Sequence, residues 1–235
     1  MHRAARLTFA TLALVVVAGT AGLAAATPSA DDLQQRVARI AAAAHVPVLQ
    51  AAQVPDRLAH ALASIEDERF YSHHGLDSIG FLRAVFNDIR YRCLCEGGST
   101  ITEQLADMAY YSGRGRGSRK VQSMTVALKI ELETSKQQIL ADYLSIVPSG
   151  YGLTGARAAA CAFFGHGLES LTVAEAAEIA GMPQAPSVYD PRRNPAAARA
   201  RRADVLRRML EEGYIDAGQR AQADAAPVVS SGPGC

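Results

Sequence analysis

The spacing of hydrophobic residues predicts helices along most of the chain. Apolar positions recur every three or four residues behind a residue that can cap a helix, as with Leu58, Leu62 and Ile65 behind Asp56. Similar stripes follow Asp77, Ser118, Ser135, Thr172 and Asn194. The pairs Ser135 with Gln138 and Thr172 with Glu175 are predicted to form capping boxes at two of these helix starts. The best candidate for a strand, residues 46–54, is short. The sequence therefore predicts a mainly α fold without internal repeats.

The first thirty residues have the pattern of a membrane-targeting segment. Arg3 and Arg6 precede a charge-free stretch over residues 7–26, and the basic end of such a segment stays on the cytoplasmic side. About 20 apolar residues are enough to span a bilayer, but the alanine run before Thr27 also suits cleavage by a signal peptidase. We expect residues 1–30 to be a signal peptide or a membrane anchor, and the rest to work outside the cytoplasm.

Composition and charge narrow the class of protein. Hydrophobic residues make up 49% of the chain and charged residues 20%, which is typical of a globular protein. The 24 Lys and Arg residues nearly balance 23 Asp and Glu residues, whereas nonspecific binding of nucleic acid requires a clearly basic surface. We therefore expect no nucleic-acid partner.

Cysteine and histidine residues offer no clear metal site. The chain has four cysteines, Cys93, Cys95, Cys161 and Cys235. In an exported chain they can form disulfides, but their spacing does not decide the pairing and does not match a typical zinc site. The adjacent His73 and His74 are expected at the surface or in hydrogen bonds. We predict no metal held by the protein alone.

Three adjacent carboxylates, Glu66, Asp67 and Glu68, stand at the predicted end of the helix that begins near Asp56. Helix C-termini repel anions, and neighbouring carboxylates repel one another, so the pKa of at least one of them is expected to be raised. A carboxyl group with a raised pKa is a stronger general base near neutral pH. The cluster is either a site of proton transfer or a solvated charged turn.

Two further clusters could bind an anion. Gly97 and Gly98 lead into hydroxyl residues at a helix start, where backbone N–H groups bind phosphate. The same residues are also ordinary in turns and helix caps. Residues 114–120 carry four cations among glycines, and such a loop either binds phosphate or is solvated.

In this order, the clusters resemble the motifs of the peptidoglycan glycosyltransferases (glycosyltransferase family 51), the transglycosylase domains of monofunctional enzymes and of bifunctional penicillin-binding proteins. The resemblance rests on IEDERFYSHHG at residues 65–75, EGGSTITEQ at 96–104, RK at 119–120 and GMPQAPSVYDP at 181–191. It indicates a transglycosylase-like domain over residues 54–215. A helical lead-in over residues 31–53 and a loosely ordered tail over residues 216–235 would flank it.

The resemblance implies a lysozyme-like domain at the outer face of the cytoplasmic membrane or in the periplasm. Such a domain polymerises lipid II, a lipid-linked disaccharide-peptide, into glycan strands and releases a polyprenyl diphosphate. Implied partners are lipid II, glycan strands, the membrane surface and other cell-wall synthesis proteins. No cofactor is implied, although a divalent cation could be bound with the substrate diphosphate. Residues 81–94, with interleaved arginines, would lie in the lipid interface or in the core.

The resemblance also assigns site residues. Glu66 matches the general base, which takes the proton from the 4-hydroxyl of the acceptor sugar. The implied substrate-binding residues are Gly98, Ser99, Thr100 and Gln104 in the donor site, and Arg119 and Lys120 near the diphosphate.

No SxxK followed by KTG is present, so a penicillin-sensitive transpeptidase is excluded and the monofunctional type is expected.

Four positions depart from the family pattern. Ser123 stands where the family has a second glutamate, Asp107 where it has a lysine, Glu103 where it has the first of two glutamines, and Ser145 where it has an asparagine. The site thus loses a cation and gains negative charge beside the diphosphate. Losing one electrostatic partner costs about 10²- to 10³-fold in rate.

These departures leave three hypotheses open. The first is a glycosyltransferase with weakened activity. The second is a catalytically impaired protein that binds peptidoglycan or its lipid-linked precursor as a partner or scaffold. The third is a glycan-cleaving enzyme with Glu66 as its acid, although no second carboxylate can be assigned from the sequence.

Overall fold

The structure is a computed structural model that describes residues 22, 24–91, 98–112, 118–150, 152–229 and 235. Its helices are α1 (Leu33–Ala43), α2 (Asp56–Glu66), α3 (Ser78–Tyr91), α4 (Ile101–Tyr111), α5 (Ser118–Glu133), α6 (Lys136–Ile146), α7 (Ala156–Phe164), α8 (Val173–Gly181), α9 (Pro195–Glu211) and α10 (Ala217–Ala225). Short 3₁₀ helices cover Ala51–Gln53 and Leu168–Ser170. No strand occurs in the described part of the chain, so the predicted mainly α class is confirmed, and residues 46–50 have no regular secondary structure before the first 3₁₀ helix begins.

Side-chain caps start several of these helices, as the sequence indicates. Thr172 and Glu175 form the predicted capping box of α8, and Asn194 accepts a hydrogen bond from the backbone at the start of α9. Ser135 caps α6, but the expected capping box is wrong in its second half. The amide of Gln138 instead donates to Asp142, at 2.9 Å.

Two groups of packed helices carry the site. Helix α4 packs against α5 and α6, while α2, α8 and α9 pack against one another. The buried residues of α2 and α8 are largely alanines, Ala59, Ala61, Ala63, Ala174, Ala176, Ala177 and Ala180. Such small side chains let helix axes approach closely. The end of α2 is thereby fixed against α9.

The C-terminal region differs from the predicted loose tail. Residues 217–225 form α10, whose N-terminus has a capping box between Asp216 and Gln219. Beyond α10, Arg202 of α9 donates to the carbonyl oxygens of Ala226 at 2.7 Å and Pro227 at 2.9 Å. The polar composition of this segment gave no local signal for a helix. The contacts that hold its end come from a buried arginine 20 or more residues away in the sequence.

One disulfide is described, between Cys161 on α7 and Cys235. Cys93 and Cys95 lie outside the described residues, as does nearly all of the predicted targeting segment. Within the described ranges, no helix is long and apolar enough to cross a membrane.

Helix α5 binds the first described residues of the chain through Lys129. The ammonium group of Lys129 donates to the carbonyl oxygens of Ala24 at 2.7 Å, Thr27 at 2.9 Å and Pro28 at 3.0 Å. A cation at this position suits the exposed carbonyl groups at the end of the helical residues 24–26. The start of the described chain is therefore attached to α5.

Arg202 and Glu178 form a buried ion pair, with side chains that are each 1% exposed and a separation of 3.4 Å. We expect Arg202→Met to lower the free energy of unfolding by about 3 kcal/mol, because it leaves a buried carboxylate without its partner and α10 without its cap. Urea denaturation followed by circular dichroism measures the change.

Arg207 on the same helix, whose side chain is 43% exposed, provides the control, and Arg207→Met should change stability by less than about 0.5 kcal/mol. The double substitution Arg202→Met with Glu178→Leu should recover part of the loss. A single Arg202→Met variant as stable as the control would contradict this account.

Candidate active site

Glu66 is the last residue of α2, and its side chain is held within a groove. The side chain is 11% exposed. It lines a cavity of about 380 Å³, the Glu66 cavity, together with Ser99, Gln104, Pro183 and Arg201. The carboxyl group thus faces an open space large enough for part of a sugar, and not bulk solvent.

A chain of polar contacts fixes the Glu66 carboxylate. The buried Tyr143 hydroxyl donates to Gln104 Oε1 at 3.0 Å, and Gln104 Nε2 donates to Glu66 Oε2 at 2.9 Å. The other carboxylate oxygen, Oε1, lies 3.4 Å from the guanidinium of Arg201. Three residues, from α4, α6 and α9, therefore set the orientation of one acid on α2.

Burial raises the pKa of Glu66 above its ordinary value. The hydrogen bond from Gln104 and the charge of Arg201 act in the opposite direction, and the adjacent Asp67 adds a further increase. Burial also raises the pKa of Tyr143, with a contribution from the Glu66 charge. Tyr143 therefore stays protonated, which makes its hydroxyl the donor to Gln104 and turns the Gln104 NH₂ toward Glu66.

Asp67 joins the Glu66 segment to the start of α4. Its buried carboxylate accepts from the backbone N–H of Ile101 at 3.0 Å and contacts His73 Nε2 at 2.8 Å. Thr100 caps α4 through Glu103 N and donates to the carbonyl of Gly75 at 2.7 Å. Gly75 has φ +90°, and a side chain there would come within 2.9 Å of the backbone of α5. These contacts place His73 in a structural hydrogen bond.

A second cavity, of about 250 Å³, adjoins the first. It shares Ser99, Gln104 and Pro183 with the Glu66 cavity. We call it the Lys120 cavity, and its further polar lining residues are Glu103, Asp107, Lys120, Ser123 and Tyr143. The two cavities together form a groove that passes Glu66.

Charges within the Lys120 cavity are partly paired. Lys120 Nζ donates to Ser99 Oγ at 2.6 Å and forms an ion pair with Glu103. Burial raises the pKa of Glu103, while Lys120 acts to lower it. Asp107 lies 3.4 Å from the Ser123 hydroxyl, which donates to the backbone carbonyl of Arg119. The cavity thus contains one lysine and two carboxyl groups.

The residues assigned by resemblance occupy different surroundings. Glu66, Ser99, Gln104 and Lys120 line the groove, whereas Gly98 and Arg119 are exposed and line neither cavity. Thr100 is a buried helix cap. Ser145, one of the departures, is also buried, where it accepts from Leu49 N at 2.8 Å and donates to Ala141 O at 2.7 Å.

Sequence reasoning missed Arg201 and Tyr143. Arg201 lies four residues before the buried Val205, which places it on the inward face of α9. This spacing from a buried residue could have been used to predict that a charged side chain points into the fold. Gly181 makes room for it, because a side chain at Gly181 would come within 2.8 Å of Arg201 Cγ.

Metal ligands are not grouped in the described residues. No cluster of three or more His, Cys, Asp or Glu side chains that could hold an ion occurs in this part of the chain. The carboxyl groups of the groove are instead paired with lysine, arginine, serine or glutamine.

Comparisons with known proteins identify the family of the chain. The model of the Transglycosylase family matches residues 33–210, which includes α1 and all but the last few residues of the domain expected from the motifs. Penicillin-binding protein 1A of Streptococcus oralis is 39% identical over 182 residues, covering 76% of this chain and 29% of that protein. A provisionally named transglycosylase of Cupriavidus necator is 37% identical over 209 residues, covering 88% of this chain and 90% of that protein.

The crystal structure of penicillin-binding protein 1A from Haemophilus influenzae matches with a TM-score of 0.48 and 26% identity, over 79% of this chain and 18% of that one. The chain thus spans less than a third of the penicillin-binding proteins it matches. From the family match over most of its length, the chain belongs to the Transglycosylase family.

Proposed function

We propose that this chain is a peptidoglycan glycosyltransferase that polymerises lipid II into glycan strands. The observation that carries the proposal is the Glu66 carboxylate, which is buried in a groove between Gln104 and Arg201. Family membership supports the same activity. A raised pKa in such a position favours proton transfer near neutral pH.

In the proposed reaction, Glu66 accepts the proton of the acceptor's 4-hydroxyl as that oxygen attacks the anomeric carbon of the donor. The new carbon–oxygen bond forms while the bond to the diphosphate breaks, and the polyprenyl diphosphate leaves with the bonding electrons. An inverting displacement needs a base on one side and charge stabilisation on the other. The meeting of two cavities at Ser99, Gln104 and Pro183 suits this arrangement.

Lys120 is the proposed partner of the leaving diphosphate. Its ammonium group lines the Lys120 cavity, held by Ser99 and Glu103. Arg119, the preceding residue, is exposed and would contact the diphosphate at the cavity edge. Glu103 and Asp107 oppose both cations, so we expect the rate to be lower than with the family's residues at these positions.

A divalent cation would reach this site on the substrate. Mg²⁺ commonly binds one or two carboxylates together with phosphate oxygens and keeps several waters. Glu103 is engaged by Lys120, which leaves Asp107 as the carboxylate in this cavity suited to such an ion. The cation would neutralise part of the diphosphate charge.

The proposed site of action is the outer face of the cytoplasmic membrane, with α3 in contact with the lipid surface. Ile79, Leu82 and Phe86 share one face of α3 and are 66%, 66% and 61% exposed. These exposures favour the lipid interface over the core for the described part of residues 81–94. Residues 92–94 lie outside the described residues. Association with other cell-wall synthesis proteins stays a prediction from the sequence.

Purified full-length protein in detergent should convert labelled lipid II into polymer. Glu66→Gln should lower the rate by at least about 10²-fold, since general-base catalysis typically contributes 10² to 10⁴. Gel separation of the labelled products measures it. The exposed Glu211 is the matched control, and Glu211→Gln should leave the rate unchanged.

The double substitution Asp107→Lys with Ser123→Glu distinguishes a glycosyltransferase with weakened activity from a catalytically impaired binding protein. It restores the family's residues in the Lys120 cavity and should raise the rate. If the unmodified chain binds lipid II without forming polymer and only this variant is active, the chain is a binding protein. Failure of every variant to bind lipid II would refute the proposed donor site.

Arg201→Met should move the acid limb of the pH–rate profile to higher pH. Arg201 lowers the pKa of Glu66, so its removal raises that pKa, and Glu66 becomes an unprotonated base only at higher pH. Initial rates from pH 5 to 9, approximately the range that spans a raised carboxyl pKa, measure the limb.

Arg208 lines the same cavity but contacts Glu68, at 3.8 Å. Arg208→Met is therefore the control, and the acid limb of its pH–rate profile should stay at the same pH. Rates at high pH should approach those of the unmodified chain if Arg201 acts only through Glu66. An acid limb at the same pH in Arg201→Met would show that the residue does not tune the base.

Because the chain contains no tryptophan, Phe86→Trp provides a unique fluorescent probe of α3. On vesicles of phosphatidylglycerol and phosphatidylethanolamine, its emission should shift to the blue and be quenched by brominated acyl chains. Arg207→Trp, at a half-exposed position of α9, should show neither effect. Emission from Phe86→Trp that does not respond to vesicles would place α3 away from the bilayer.

A further inference from the structure

A third cavity, of about 420 Å³, lies beside the Lys120 cavity and takes no part in the proposed reaction. Met108 and Pro148 line both cavities, so one opens next to the other. We call it the Arg36 cavity. Its remaining lining residues come from α1, from the end of α4 and from α6, and include Arg36, Arg39 and Ile40 of α1.

Two arginines line this cavity, and one of them is paired with an aspartate. Arg36 Nε contacts the two carboxylate oxygens of Asp32 at 2.9 Å and 2.8 Å, and the guanidinium lies 4.3 Å above the Tyr110 ring. These contacts fix the plane of the guanidinium, which carries five N–H donors in all. Arg39, three residues later on the same helix, is exposed. Fixed guanidinium groups suit planar carboxylates.

The two adjoining cavities differ in the charges that line them. Lys120 shares its cavity with two carboxyl groups, Glu103 and Asp107, whereas the next cavity is lined by Arg39 and by Arg36, which is paired with Asp32 outside the lining. A carboxylate is therefore better matched by the second cavity. The Arg36 cavity also has an apolar lining from Ile40, Met108, Ile146 and Pro148. A ligand that fits the Arg36 cavity has an apolar body and a carboxylate. It is joined covalently to a group that is bound in the Lys120 cavity.

We propose that the Arg36 cavity binds the peptide attached to the donor glycan chain, through a free carboxylate of that peptide. The inference rests on the proposed function, in which each disaccharide unit brings one peptide. A sugar chain that extends from the Lys120 cavity past Met108 and Pro148 carries such a peptide to the arginines. The volume lies within the range of small-ligand sites, about 300–1,000 Å³.

Calorimetry with soluble glycan fragments tests this inference. The probes are a tetrasaccharide with two peptides that have free carboxylates, the same molecule with carboxamides, and the peptide-free tetrasaccharide. The full chain in detergent should bind the carboxylate form about 10-fold more tightly than the carboxamide form, as expected for a charge-assisted contact. The double variant Arg36→Gln with Arg39→Gln should bind both forms equally.

Two further variants keep this test interpretable. Arg39→Gln alone changes an exposed side chain, should leave the thermal unfolding temperature unchanged, and should lose part of the preference. Arg207→Gln, which removes a half-exposed arginine on α9, should retain all of it. Equal binding of both probes by the unmodified chain would overturn the inference, as would a preference that survives in the double variant.

The inference and the proposed function can fail separately. If the chain forms polymer from lipid II but shows no carboxylate preference, only the inference fails. If the preference is present and no polymer forms, the peptide site stands and the polymerase activity fails. If the double variant instead loses binding to vesicles of anionic lipid, with no effect on the glycan probes, the arginines contact lipid headgroups and the inference is overturned.

Discussion

The burial of one carboxyl group at the end of α2 is the constraint on which the candidate site depends. A carboxylate removed from water needs hydrogen bonds or charge to remain ionised. Gln104 and Arg201 supply them from α4 and α9, and Tyr143 of α6 orients Gln104. None of these contacts forms within a single helix, so the reactivity of Glu66 is a property of the assembled fold.

Local sequence signals predicted much of the fold and part of the site. Helix caps at Thr172 and Asn194 lie where the pattern placed them, and Glu66 ends its helix as expected. Residues that act over long distances were not predictable in this way. Arg201 reaches Glu66 across 135 positions and Tyr143 reaches Gln104 across 39, and no local pattern encodes such contacts.

A motif match also proved coarser than the chemistry of individual residues. Thr100 and Ser99 are neighbours in one motif, yet Thr100 caps α4 while Ser99 lines both cavities of the groove. The departures divide in the same way. Ser145 is bonded within the core, whereas Glu103 and Asp107 line the Lys120 cavity, where their charge bears on a diphosphate. Only the second kind of departure alters the electrostatics of the groove.

The attachment of Lys129 has a consequence for geometry. Lys120 and Lys129 lie on the same helix, nine residues or about 14 Å apart along its axis. Lys129, toward one end of this helix, binds the backbone near residue 24. Lys120, toward the other end, places its ammonium group in the groove. The distance along the helix between the attached residues 24–28 and the ammonium group of the groove is therefore set by helical rise.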